Sequence, residues 1–159
     1  MAAVAPFLVV GIGNPSRGDD AVGPLLVERI EAMELPGVAC LTDFQLQVEH
    51  ALDLVGRAEV VFVDATVADE APFTLALATP ARDASATTHA LTPAAVLDAY
   101  VQVTGQPPPA ARVLAIRGYS FELGEGVSAR ARANLDAAER ALVSALAATP
   151  IGVAAASAP

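Results

Sequence analysis

The chain has 159 residues, enough for one domain with a core of ordinary size. Mean hydropathy is +0.50, but alanine accounts for much of it, and the richest apolar stretch, "ALVSALAATPIGVAAASAP", is broken by Pro150, which argues against a membrane span. Net charge is −9 with arginine as the only basic residue besides histidine, which disfavours nucleic acid and anionic membranes and favours a cation or a basic partner, and the single cysteine, Cys40, excludes an internal disulfide.

In chain order, "FLVVGI" (7–12) predicts a strand buried on both faces. The sequence before it lacks the basic flank of a secretory signal, so a cytoplasmic location is expected. "PLLVERIEAM" (24–33) predicts a helix with Leu25, Leu26, Ile30 and Met33 near one face. "VACLTD" (38–43) predicts a second strand, "VEHALDLVG" (48–56) a short helix stopped by Gly56, and "EVVFVD" (59–64) a third buried strand. "FTLALA" (73–78) is a weaker strand, suited to a sheet edge. "TPAAVLDAYVQV" (92–103) begins with Thr92 as cap and Pro93 at the first helical position. "ARVLAI" (111–116) predicts the last strand, and "SARARANLDAAERALVSALAA" (128–148) the longest helix, with Ser128 as its cap.

Strands alternating with helices predict an α/β fold: a single three-layer α/β/α domain over 1–148 with a mostly parallel sheet of about five strands. Residues 149–159 read as a loose tail. In such sheets sites gather beyond the carboxyl ends of the strands, which draws attention to residues 13–20, 43–49, 64–69 and 117–125.

The first of these regions lies within "VVGIGNPSRGDDAVGP" (9–24), which opens like a phosphate-binding turn. Gly11, Gly13 and a later acid, Asp43, imitate a dinucleotide fingerprint. Ser16, however, stands where the third glycine should be, Pro15 removes an amide, and Asp19 and Asp20 would repel an anion. One of the two acids is expected to cap the following helix, worth ~1 kcal/mol. That leaves the other for a cation.

Asp64, at the end of a very apolar strand, and His89, in "SATTHALTP" just ahead of a capped helix, can join Asp20 in a set of two carboxylates and one imidazole. Such a set suits Fe(II), Zn or Ni and leaves positions open for substrate. Taken singly, Asp64 also reads as a loop solubiliser and His89 as a turn residue. His50, at helical spacing in "VEHALDL", fits packing better than metal binding, and Cys40 fits a small buried hydrophobe. No Gly-x-Ser-x-Gly elbow occurs, so serine hydrolysis has no support.

"VVGIGNPSRGDDAVGP" resembles the N-terminal signature of the maturation endopeptidases of nickel–iron hydrogenases. "VVFVDAT" and "THALTP" resemble that family's second and third site regions, in the same order, so the likeness spans roughly residues 7 to 146. The resemblance implies an α/β/α endopeptidase that cuts a C-terminal extension from the precursor of the hydrogenase large subunit after nickel insertion. It also implies metal contacts at Asp20, Asp64 and His89. Nickel would arrive with the substrate, Zn or another divalent ion could take its place in vitro, and no nucleotide would be needed.

Many members of that family carry an Asp-Gly-Gly-Thr-like stretch after the second strand, where this chain has "TDFQLQVEH". Asp43 keeps the acid while the glycines are lost. The Gln45 to Glu49 arrangement resembles the branch that serves soluble or bidirectional, NAD-coupled hydrogenases. Gln45 and Glu49, one helical turn apart, are candidates for substrate recognition, with a solvated helix face as the alternative. For the general base on water, Asp20 is the first choice and Asp43 the second. The expected partner is the large-subunit precursor, met by a monomer, without nucleic acid or membrane. Two other readings stay open: a non-catalytic, metal-sensing or chaperone-like module that checks nickel loading, and a nucleotide-dependent oxidoreductase.

Overall fold

The structure is a computed structural model and describes residues 3–82 and 91–148. Its strands are β1 (Phe7–Ile12), β2 (Val38–Asp43), β3 (Glu59–Thr66), β4 (Phe73–Ala78) and β5 (Ala110–Arg117). Its helices are α1 (Val22–Ala32), α2 (His50–Asp53), α3 (Pro93–Thr104) and α4 (Ala129–Ala148), and a 3₁₀ turn, Gly18–Ala21, precedes α1.

The strands form one sheet in the order β2-β1-β3-β5-β4. All neighbours pair parallel except β4, which runs antiparallel to β5 at one edge. A strand sends successive side chains to opposite faces, so β3 supplies two cores at once. Val61 and Val63 join Val9, Leu26, Ile30, Leu114, Leu135 and Leu142 under α1 and α4. Val60 and Phe62 join Leu8, Val10, Leu54, Val96 and Leu97 under α2 and α3. This is the three-layer α/β/α domain that the pattern predicts, with the weak strand at an edge.

The elements depart from expectation in three places. β2 is half-buried along most of its length, because it forms the other edge of the sheet and has a strand on one side only. The expected 48–56 helix contracts to the four residues of α2, flanked by turns whose N–H groups reach back three residues, as from Ala51 to Val48 and from Val55 to Leu52. β3 continues two residues past Asp64, which therefore lies within the strand and pairs with Ala115 of β5.

The expected ends of α3 and α4 match the structure. Thr92 Oγ1 accepts from Ala95 N at 3.1 Å, Pro93 opens α3, and Gly105 closes it at φ +67°. Ser128 Oγ accepts from Ala131 N at 3.2 Å at the start of α4. At the far end of the sheet from the predicted site, buried Glu59 pairs with Arg112. Among the described residues no helix is long and apolar enough to cross a membrane.

Candidate functional site

The loop after β1 is built so that α1 can lie directly against the sheet. A Cβ on Gly23, at the start of α1, would collide with the carbonyls of Ile12 and Val63, and one on Gly11 would press on Gly23. Gly13 adopts φ +145°, and a side chain there would meet the Asp20 carbonyl. These glycines therefore serve close packing and a tight return, which holds Asp20 over the carboxyl end of β1.

The loop's amides are already engaged. Gly13 N donates to Asp43 O, Asn14 N to Asp20 Oδ2 at 2.6 Å, and Ser16 N to Asn14 Oδ1. Arg17, Gly18, Asp19 and Asp20 donate to Asn14, Glu125, Ser120 and Arg17 carbonyls. None of these amides is left for a phosphate in the way a nucleotide-binding turn requires.

The two adjacent acids have separate fates. Neither caps the helix that follows it, contrary to expectation. Asp19 is fully buried and accepts from Tyr119 N, Ser120 N, Ser128 N and Ser128 Oγ at 2.7–3.0 Å. Burial alone would raise its pKa, but these four donors outweigh burial and hold it below the usual carboxylate range. Asp19 thus ties the loop to the start of α4, a hundred residues away. Asp20 faces the other way.

Asp20 and Asp64 line one hollow of about 300 Å³, together with Ile12, Gly13, Phe44, Gln45, Leu46, Leu91, Thr92 and Pro93. It lies where the strand order reverses, with β2 on one side of β1 and β3 on the other, the crevice where open α/β sheets bind ligands. Burial pushes the Asp64 carboxyl up to about 7; the Ala65 amide, 2.8 Å away, pulls it down, and the negative charge of Asp20 pushes it further up. Among the described residues neither carboxylate has an arginine partner. Two acids sharing an uncompensated, half-dry hollow make a place for a cation.

His89 lies outside the described residues, so its expected role as third donor is carried by sequence alone. Leu91, two positions on, lines the hollow, and its N–H donates to Leu46 O at 3.1 Å. The described residues contain no group of three or more His, Cys, Asp or Glu side chains placed to hold a metal.

Asp43 ends β2 and lines a neighbouring hollow with Gly13, Pro15, Pro24, Thr42 and Phe44, and Gly13 and Phe44 line both hollows. Its Oδ1 accepts from Phe44 N at 2.7 Å and its Oδ2 lies 3.2 Å from His50 Nε2. His50 Nδ1 accepts from Gln47 N at 2.8 Å, which leaves the ring proton on Nε2, facing Asp43. No local pattern announces this pair, since six residues of irregular loop and turn separate its members.

Gln45 and Glu49 border a wider, shallower hollow of about 560 Å³ with Gln47, Val48 and Leu91, and Gln45 also lines the Asp20–Asp64 hollow. They are not on one helical face, because the regular helix starts only at His50. Burial, with a smaller push from Glu31, raises the Cys40 thiol to about 11, consistent with a small hydrophobe in β2.

No protein-family model matches the chain, and no curated protein does. Solved structures do match. The hydrogenase maturating endopeptidase HybD of E. coli is 24% identical, over 88% of this chain and 91% of that one, with a TM-score of 0.68. The nickel–iron hydrogenase maturation protease HycI of Thermococcus kodakarensis is 23% identical over the same shares, also at 0.68. An endopeptidase from Escherichia coli is 27% identical, again over 88% and 91%, at 0.67. The chain has the fold of the hydrogenase maturation endopeptidases.

Proposed function

We propose that the chain is an endopeptidase that removes a C-terminal extension from the precursor of a nickel–iron hydrogenase large subunit once nickel has been inserted. One observation carries this reading. On a fold shared with such enzymes over most of their length, Asp20 and Asp64 line a single hollow with no cationic side chain beside them among the described residues.

Nickel belongs to the substrate in this scheme, already held in part by substrate thiolates. The two carboxylates, with His89 as third donor, take up positions on it that the thiolates leave open. Asp64 must give up its proton to do so, because burial raises its carboxyl to about 7. The grip fixes the scissile peptide beside the hollow, which makes the cleavage effectively intramolecular.

General-base duty on water falls first to Asp20, whose Oδ2 is fixed by Asn14 N. Asp43, on the neighbouring hollow, is the second candidate, held by Phe44 N and His50. The substrate's metal can polarise the scissile carbonyl. The same reading makes the protein a cytoplasmic monomer that needs no nucleotide, in line with the internal bonding of the glycine-loop amides. It places the precursor in the soluble or bidirectional branch, on the Gln45 to Glu49 stretch.

Incubation with a nickel-loaded precursor, followed by mass spectrometry of the large subunit, tests the reading. Loss of the extension supports it. An unchanged mass beside a stable complex would instead identify a metal-sensing module.

A further inference from the structure

The segment that follows β2 is apolar on two sides. From Gln47 to Arg57 the backbone coils through successive turns around α2. Ala51 and Leu54 point inward and are buried in the core under α2 and α3. Val48, Leu52 and Val55, at positions i, i+4 and i+7, point outward with 54%, 63% and 49% of their surfaces exposed. Phe44, 63% exposed, adds a fourth uncovered apolar side chain, at the Asp20–Asp64 hollow that it helps to line. A short coil that is apolar on its outer side as well as its inner one leaves a group of large apolar side chains in water, and such a group marks a surface that binds something.

We propose that this row is the docking ridge for the substrate polypeptide, taking a segment that carries apolar side chains with basic residues beside them. The assignment rests on the endopeptidase reading above and adds to it where the substrate is gripped away from the metal. Two features select the occupant. Val48, at one end of the row, lines the wider hollow that shares Gln45 and Leu91 with the Asp20–Asp64 hollow, so a chain lying along the row is led towards Asp20 and Asp64. It is also edged by Glu49 and Asp53, whose carboxylates form no ion pair among the described residues, while Arg57 directs its guanidinium to the carbonyls of Asp53 and Ala5. A two-fold contact between copies of this chain would set those acids against their own kind on a molecule of net charge −9. A partner with basic groups meets them favourably.

The double variant Leu52→Gln/Val55→Gln tests the ridge without touching the hollow. Leu77→Gln, at an 82% exposed residue on the edge strand β4, is the control. Kinetics of processing are measured beside direct binding of the nickel-loaded precursor by calorimetry. The double variant is expected to raise KM and the dissociation constant about tenfold with kcat unchanged, and the control to match wild type. Wild-type KM and affinity in the double variant would overturn the ridge while leaving the endopeptidase reading standing. If the wild type binds the precursor without cutting it, the endopeptidase reading fails, and the ridge stands only if the double variant still weakens binding. No binding by the wild type overturns both. A wild-type dimer in sedimentation that the double variant dissolves would assign the ridge to self-association and overturn the proposal.

Discussion

Replacing Asp64 by asparagine should make the empty protein more stable at alkaline pH while abolishing its function. The carboxyl of Asp64 titrates near 7 in the folded chain, against 3.8 for an unperturbed aspartate, chiefly because it is buried. A folded-state value raised above the unfolded one means that the unfolded chain gives up its proton first. Stability is therefore full below the unfolded value and is lost as pH rises through about 7. Between pH 5 and pH 8 the linkage amounts to about 2–3 kcal/mol, about half of it on either side of pH 6, and it levels off above the folded value.

Asparagine has the same shape and no such titration. Urea denaturation of both proteins at pH 5 and pH 8 measures the effect, and titrating groups that do not interact with Asp64 cancel in the difference. Wild type should lose about 2–3 kcal/mol more than Asp64→Asn over that interval. Parallel losses would refute the claim that Asp64 lies in a desolvated hollow beside a second negative charge. The variant's extra stability at pH 8, combined with absent processing, would show that the site holds a charge the fold tolerates only for the sake of a cation.

Asp19→Asn presents an amide group to three backbone N–H donors and a hydroxyl, and should cost on the order of 3 kcal/mol in denaturant unfolding, although Asp19 touches no part of the hollow. Asp20→Asn loses no such network; its melting temperature should stay within a few degrees of wild type while precursor processing disappears in the mass assay. Thr92→Ala removes the cap of α3 and should cost ~1 kcal/mol by the same denaturation measurement. Gly23→Ala should fail to give a soluble folded chain in expression trials, because the carbonyls of Ile12 and Val63 occupy the space of its Cβ.

Much of this molecule is written locally. The strands are short apolar runs and α3 carries its start and stop residues, so all five strands and three of four helices lie close to where the sequence puts them. The shared hollow of Asp20 and Asp64 follows from one topological rule, since Asp20 lies on the loop that follows β1 and Asp64 near the carboxyl end of β3, its parallel neighbour. The rest depends on neighbours that no local window contains. Asp19 looks like a helix cap beside Asp20, yet its donors come from residues 119, 120 and 128. β2 has the composition of a central strand and lies at an edge, which strand order alone decides. The segment 48–56 has a helical pattern but forms only a four-residue helix between tighter turns, so Gln45 and Glu49 share a rim instead of a helix face.

The central claim is that Asp20, Asp64 and His89 close on one metal ion. A crystal of the protein soaked with a divalent cation such as nickel or zinc tests it most directly. The account predicts one ion in the hollow between β1 and β3, bound by an oxygen of Asp20, an oxygen of Asp64 and a ring nitrogen of His89. An ion bound elsewhere, or a His89 ring that stays far from both carboxylates with the ion in place, would contradict it.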